Sequence, residues 1–180
     1  GSDFVDGGVD WNNCYHVNME KYEMDPYIQL QEYDLLITKD GTIGKLAIVR
    51  DMLGLATLNS GVFVLRQNRD KYDSEFMYYV LQSDIFHGFN NYSKYGSTID
   101  HLYQHTFGNM PFSTPSLNEQ EKITNLLRST LKTVDEFIGK AKKNLDLLEE
   151  QRSALIIQTV TKGLNPDVQM KDSGISWFGE

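Results

Sequence analysis

Between Ser116 and Thr161 the chain reads SLNEQEKITNLLRSTLKTVDEFIGKAKKNLDLLEEQRSALIIQTVT, and the placement of its apolar residues decides the fold. Ile123, Leu127, Thr130, Val134, Phe137, Ala141, Leu145, Leu148 and Leu155 recur at intervals of four and three, with Arg152 in the one intervening slot. The pattern is mostly heptad and slips once near Ala141. Such a stripe is the seam of a long helix that buries one side against a partner. A second register, Leu126, Leu131, Ile138, Leu147 and Ile156, widens it enough to face more than one neighbour.

The ends of the stretch agree with a helix. Ser116-Leu117-Asn118-Glu119 reads as a capping box, and Pro115 closes off what precedes it. Lys162-Gly163 and Asn165-Pro166 supply a cationic last turn, a C-cap glycine and a stop. About 44 residues at 1.5 Å each predict a rod roughly 65 Å long. Gly139 is the one plausible hinge, but no turn signal accompanies it, so a continuous rod is expected rather than a helical hairpin.

Upstream, about 115 residues suffice for one compact core. The sequence divides into a domain at 1–115, the long helix at 116–162 and a C-terminal strip at 163–180. One cysteine, Cys14, excludes a disulfide framework. No apolar run approaches the length of a membrane span and no secretory leader is evident, so a soluble, cytoplasmic protein is expected.

Net charge is −8, which opposes simple electrostatic attraction to nucleic acid. Its distribution matters more. Residues 1–40 hold nine acids (Asp3, Asp6, Asp10, Glu20, Glu23, Asp25, Glu32, Asp34, Asp40) against Lys21 and Lys39. Residues 41–116 balance six acids with six Lys or Arg, and add His87, His101 and His105. A DNA-binding face is possible only as a local patch.

Residues 1–32 are polar and aromatic, with Asp6-Gly7-Gly8 as a turn signal and Pro26 as a breaker, and no opening strand stands out. Tyr33–Thr38 is strand-like, Lys39-Asp40-Gly41 reads as a hairpin turn, and Lys45–Arg50 returns as a second strand. Val62–Arg66 makes a third. Ser74 caps a short helix expected to run to about Phe86. Gly88–Thr98 then reads as a loop, Ile99–His105 as a short helix or turn, and Phe107–Phe112 as a last edge strand. The expected class is α+β: a small β-rich domain followed by one long coiled-coil-type helix.

Two segments carry candidate chemistry. The turn Lys39 to Lys45 ends in Gly-Lys, but only two residues separate its glycines and leucine follows, so it is no phosphate-binding loop. It reads either as a plain hairpin or as one presenting Lys39, Thr42 and Lys45 to a phosphate backbone. The loop holding Asn90, Asn91, Tyr92, Lys94, Tyr95, Ser97 and Thr98 is the best recognition segment, since amides, hydroxyls and tyrosines bond base edges and pack on sugars. His101 and His105 have a zinc-compatible spacing but no third ligand near them in sequence, so a solvent-facing or capping role is preferred. Asn165-Pro166-Asp167-Val168 is faintly like the catalytic element of amino-methyltransferases. It lacks the aromatic that would stack on a flipped base, and no glycine-rich cofactor loop is found. No catalytic constellation stands out.

Asp34-Leu35-Leu36-Ile37-Thr38-Lys39-Asp40-Gly41-Thr42-Ile43-Gly44-Lys45 resembles a segment of the target-recognition domains in type I restriction-modification specificity subunits. Pro115 to Glu121, the rod, Val160-Thr161-Lys162-Gly163-Leu164-Asn165, and the strip Met170 to Glu180 are similar to that family's helical region and its trailing segment. The likeness covers roughly 33–180, with several motifs in the expected order. It implies a non-catalytic protein that reads one half of a split site in double-stranded DNA. It further implies long helices packed antiparallel as a ruler, with docking of methyltransferase subunits and then restriction subunits. S-adenosylmethionine and ATP are expected only in those partners, and no cofactor in this chain.

A full subunit of that family has two recognition domains and two rods, whereas here there is one of each. On that likeness the chain is expected to be a fragment or a half-size subunit. Its unpaired seam (Ile123, Leu127, Val134, Ile138, Ala141, Leu145, Leu148, Leu155) predicts an antiparallel homodimer. The alternative is a protein-interaction adaptor that oligomerises through the helix and never binds DNA.

Overall fold

The computed structural model describes residues 3–68, 70–93, 101–165, 167, 169, 172, 174 and 175. The chain forms two compact units, the first ending at Leu127 and the second starting at Arg128. The first unit is built on a three-stranded antiparallel sheet. Its strands are β3 (Leu35–Thr38), β4 (Leu46–Ile48) and β5 (Val62–Leu65), in the order β4-β3-β5. These are the three strands expected from the sequence, each slightly shorter. A small hairpin, β1 (Phe4–Val5) with β2 (Gly8–Val9), precedes the sheet and is joined to it where the Ile48 N–H donates to the Gly7 carbonyl at 2.8 Å. Between hairpin and sheet lie α1 (Met19–Glu23) and two single-turn 3-10 helices.

All four residues of the central strand β3 are buried, because both faces of the sheet are covered. Strand alternation sorts them. Leu35 and Ile37 join Leu46, Ile48, Met77, Leu81, Phe86, Leu102 and Met110 on one face. Leu36 joins Leu30, Ala47, Val49 and Val62 on the other, where Phe4, Val9 and Trp11 pack over them. Burying one such Leu or Phe side chain contributes about 1.5–3 kcal/mol. A slip of one residue in β3 would exchange the two sets, so register is tightly specified: Leu35 opposite Ile48 and Leu65, Ile37 opposite Leu46 and Phe63.

Three expectations are corrected. Helix α2 (Ser74–Gln82) starts one residue earlier than the serine cap implied: Asp73 is the N-cap, its carboxylate accepting from the N–H groups of Glu75 and Phe76, and Ser74 is the first helical residue. The residues after Ser83 form a second helix, α3 (Asp84–Ser93), not a loop from Gly88. Phe86 there is 1% exposed, and its burial holds a segment whose amides and glycine read as irregular. Phe107–Phe112 forms no strand. Phe107 and Gly108 end the short helix α4 (Gln104–Gly108), and Phe107 packs flat against Phe63 and edge-on to Phe86.

Helix α5 runs unbroken from Leu117 to Lys162. Its start is held by the Glu119 and Gln120 N–H groups bonding the Ser116 carbonyl. In its first turns Gln120 is fully buried and Thr124 nearly so. Gly163 follows with φ +74°, the left-handed C-cap that glycine supplies without strain. Most of the expected C-terminal strip (166, 168, 170, 171, 173 and 176–180) lies outside the described residues.

Candidate nucleic-acid interface

The connection between β3 and β4 is longer than a tight hairpin turn at Lys39-Asp40-Gly41. Thr38 organises it. This buried hydroxyl donates to the Thr42 carbonyl and accepts from the Lys45 N–H at 3.0 Å, while the Gly44 N–H donates to the Thr38 carbonyl at 3.0 Å. Gly41 and Gly44 take φ +67° and +86°, conformations that glycine adopts at little cost. Gly44 has a second reason to be glycine: a Cβ there would sit 2.9 Å from Cε1 of the buried Phe86.

The loop presents Thr42 and Lys45 to solvent. Lys39 is half-buried, its ammonium 4.8 Å from the centroid of the Phe63 ring, and its N–H donates to the Gly61 carbonyl at 2.9 Å. A cation over an aromatic face keeps its charge yet loses side-chain freedom. Lys39, Thr42 and Lys45 thus share one short loop fixed by its own hydrogen bonds.

The second predicted set is not gathered in a loop. Asn90, Asn91 and Tyr92 lie in the last turns of α3, with Asn90 half-buried, Asn91 exposed and Tyr92 82% exposed. Lys94, Tyr95, Ser97 and Thr98 lie outside the described residues.

The structure adds a segment that composition did not single out. The Leu102 N–H donates to the Lys39 carbonyl at 3.0 Å, and Leu102 itself is 2% exposed, so residues 101–103 are strapped to the loop. His101 is paired through Nδ1 with the Asp40 carboxylate, and its ring meets Tyr103 edge-on at 4.7 Å. The sequence offered His101 only as half of a zinc-like spacing. Among the described residues, no group of three or more His, Cys, Asp or Glu side chains is placed to hold a metal. Cys14 donates to the Asp10 carbonyl at 3.3 Å, and burial, reinforced by Asp3 and Asp10, pushes its thiol pKa up.

On the other face of the sheet a buried carboxylate organises the entry to β3. Asp34 accepts from the Gln31 N–H at 2.9 Å and lies 3.7 Å from Nε of Arg66. Arg66 in turn donates to the carbonyls of Tyr27 and Gln29. Burial raises the Asp34 pKa despite the Gln31 N–H and the Arg66 charge, both of which pull it down.

Along α5 the predicted seam is largely in solvent. Leu145, Leu148 and Leu155 are 60%, 59% and 64% exposed, Val134, Ile138 and Ala141 are exposed too, and Ile123 and Leu127 are half-buried. No described helix is long and apolar enough to cross a membrane.

Compared with family models, residues 3–149 match the type I restriction modification DNA specificity domain. The chain belongs to this family. Solved structures agree on the fold of the specificity domain. An HsdS subunit from Thermoanaerobacter tengcongensis matches at TM-score 0.58 and 19% identity, over 82% of this chain and 38% of that one. A structure described as the basis of complex assembly and conformational transition of the type I R-M system matches at TM-score 0.63 and 17% identity, over 78% of this chain and 33% of that one. The chain therefore spans between a third and two fifths of the length of these relatives. A comparison with curated proteins gives no significant match. The α+β expectation and the family resemblance both hold.

Proposed function

We propose that this specificity domain recognises duplex DNA, reading one half of a bipartite site. On this reading its long helix pairs antiparallel with a second copy and gives methyltransferase subunits, joined by restriction subunits, a place to dock. The observation that carries the proposal is the 46-residue helix with its apolar stripe left in solvent, on a chain that belongs to a DNA-specificity family. Exposed Leu, Ile and Val at heptad spacing over several turns favour burial against a like helix. A two-fold pairing of identical chains would place two readers at a fixed separation, as a symmetric split site requires.

The 39–45 loop, with Lys39 and Lys45, puts local positive charge on the first unit of a chain whose net charge is −8. With few phosphate contacts of its own, the isolated chain binds DNA weakly and partner subunits add the rest; tight, salt-insensitive binding by the chain alone would contradict this. The chain has no catalytic role in this scheme. S-adenosylmethionine and ATP chemistry belong to the partners.

A gel-shift against randomised duplexes, with and without a methyltransferase subunit, tests the proposal. Enrichment of a split motif in the complex is the expected result. A complex that forms but enriches no sequence favours a protein-interaction adaptor instead.

A further inference from the structure

The DNA reading assigns phosphate contacts to Lys39, Thr42 and Lys45, and gives no part to the residues strapped beside them. Yet Asp40 of that loop and His101 and Tyr103 of the strapped segment form a built arrangement. The Leu102 N–H bond to the Lys39 carbonyl and the burial of Leu102 fix the backbone. The flanking side chains are left outward: Tyr103 is 57% exposed, and the His101 side chain keeps 30% of its surface. Packing alone does not explain why two hydrogen-bonding rings are held edge to face at a partly open position.

An ionised carboxylate only accepts, so the pair with Asp40 puts a proton on Nδ1 of His101. Nε2 is then the free hydrogen-bonding atom of the ring, in a fixed tautomer. In the neutral imidazole it is an acceptor, complementary to the exocyclic amino group of adenine or cytosine in the major groove. In either protonation state the Asp40–His101 pair adds no net positive charge. It cannot stand in for a lysine against phosphate; what it offers is direction, and direction discriminates bases. The Tyr103 hydroxyl, donor and acceptor, adds a second directed group.

We propose that His101 and Tyr103 are sequence-discriminating DNA contacts of this domain and that Asp40 is the positioning residue that sets the His101 tautomer. The proposal rests on the DNA reading of the domain and deepens it. It separates two roles on one surface: lysines that hold the backbone, and a ring pair that reads bases.

The test is selection by the full chain from a library of randomised duplexes at low salt, with affinities of the selected duplexes then measured across a salt series. The native chain is compared with His101→Gln, Asp40→Asn and Tyr103→Phe, and melting curves check folding. Tyr103→Phe keeps the ring packing and carries the test if a charge-pair variant fails to fold. Expected is a drop of about fivefold or more in preference for the favoured base at one or two positions, with the salt slope unchanged. An identical motif and identical base preferences in folded variants would overturn the inference while leaving DNA recognition intact. A changed salt slope with unchanged preferences would also overturn it, since that marks a backbone contact. Failure of the native chain itself to enrich any sequence would remove the DNA reading and this inference with it.

Discussion

Replacing Gln120 tests how the first turns of α5 are held within the first unit. Its side chain is fully buried and makes three hydrogen bonds. Oε1 accepts from the Asp73 N–H at 3.0 Å, and Nε2 donates to the carbonyls of Lys71 and Pro115, each at 2.8 Å. One amide therefore ties the first turns of α5 to the turn that caps α2. Gln120→Ala orphans one N–H and two carbonyls around a side chain that is itself fully buried. At roughly 1 kcal/mol for each lost bond, the expected destabilisation is about 3 kcal/mol, or on the order of 10 °C in melting temperature. Gln120→Glu discriminates further. A carboxylate still accepts from Asp73 but sets its other oxygen against two carbonyls, so at neutral pH it costs at least as much as alanine. Lowering the pH protonates that oxygen, restores a donor and recovers part of the loss. Urea unfolding of the three proteins at two pH values measures both effects. A loss under about 1 kcal/mol for alanine, or a glutamate variant insensitive to pH, would refute the reasoning.

Other substitutions test the loop and the core. Gly44→Ala meets both a positive φ and the buried Phe86 ring, whereas Gly41→Ala meets only the φ, with open space around it. Denaturant midpoints should show a cost of about 1 kcal/mol at Gly41 and clearly more at Gly44. Asp34 has its pKa raised by burial, so the folded chain holds that proton more tightly than the unfolded one. Its contribution to stability is therefore fully present below the unfolded carboxylate pKa and is lost as pH rises through the folded value. Asp34→Asn should flatten that limb of the stability–pH profile, read by thermal melts across the acid range. Lys45→Ala should weaken DNA binding uniformly across sequences and reduce the slope of log affinity against log salt by about one, measured by titration over a salt series.

The parts legible from the sequence are those whose signal is local. Leu35–Ile37, Leu46–Ile48 and Val62–Leu65 are apolar runs between turn residues, and they became the sheet. The long helix was legible because its periodicity extends over 46 residues. What was misread depends on contacts distant in the chain. Asp73 outcompetes Ser74 as a cap because its backbone N–H is already engaged by Gln120, 47 residues away. Asn90 to Tyr92 are helical because Phe86 anchors α3 under the 39–45 loop, overriding the poor helix propensity of asparagine and glycine. Phe107–Phe112 reads as an edge strand from the sequence, but Phe107 is drawn into the Phe63 and Phe86 ring cluster at the end of α4. His101 carried no hint of its partner, since Asp40 is 61 residues earlier. The Lys39, Thr42 and Lys45 loop was legible because a turn between two strands keeps its residues together.

Solution mass of the full chain at several concentrations, beside a variant carrying Leu127→Glu, Val134→Glu and Leu148→Glu, tests the central claim most directly. Sedimentation equilibrium of the native chain should give twice the 20.7 kDa protomer mass, and the charged variant should give the protomer mass with its helical circular dichroism otherwise retained. A native chain that stays at protomer mass at every concentration, or a dimer indifferent to three glutamates along its stripe, would contradict the account.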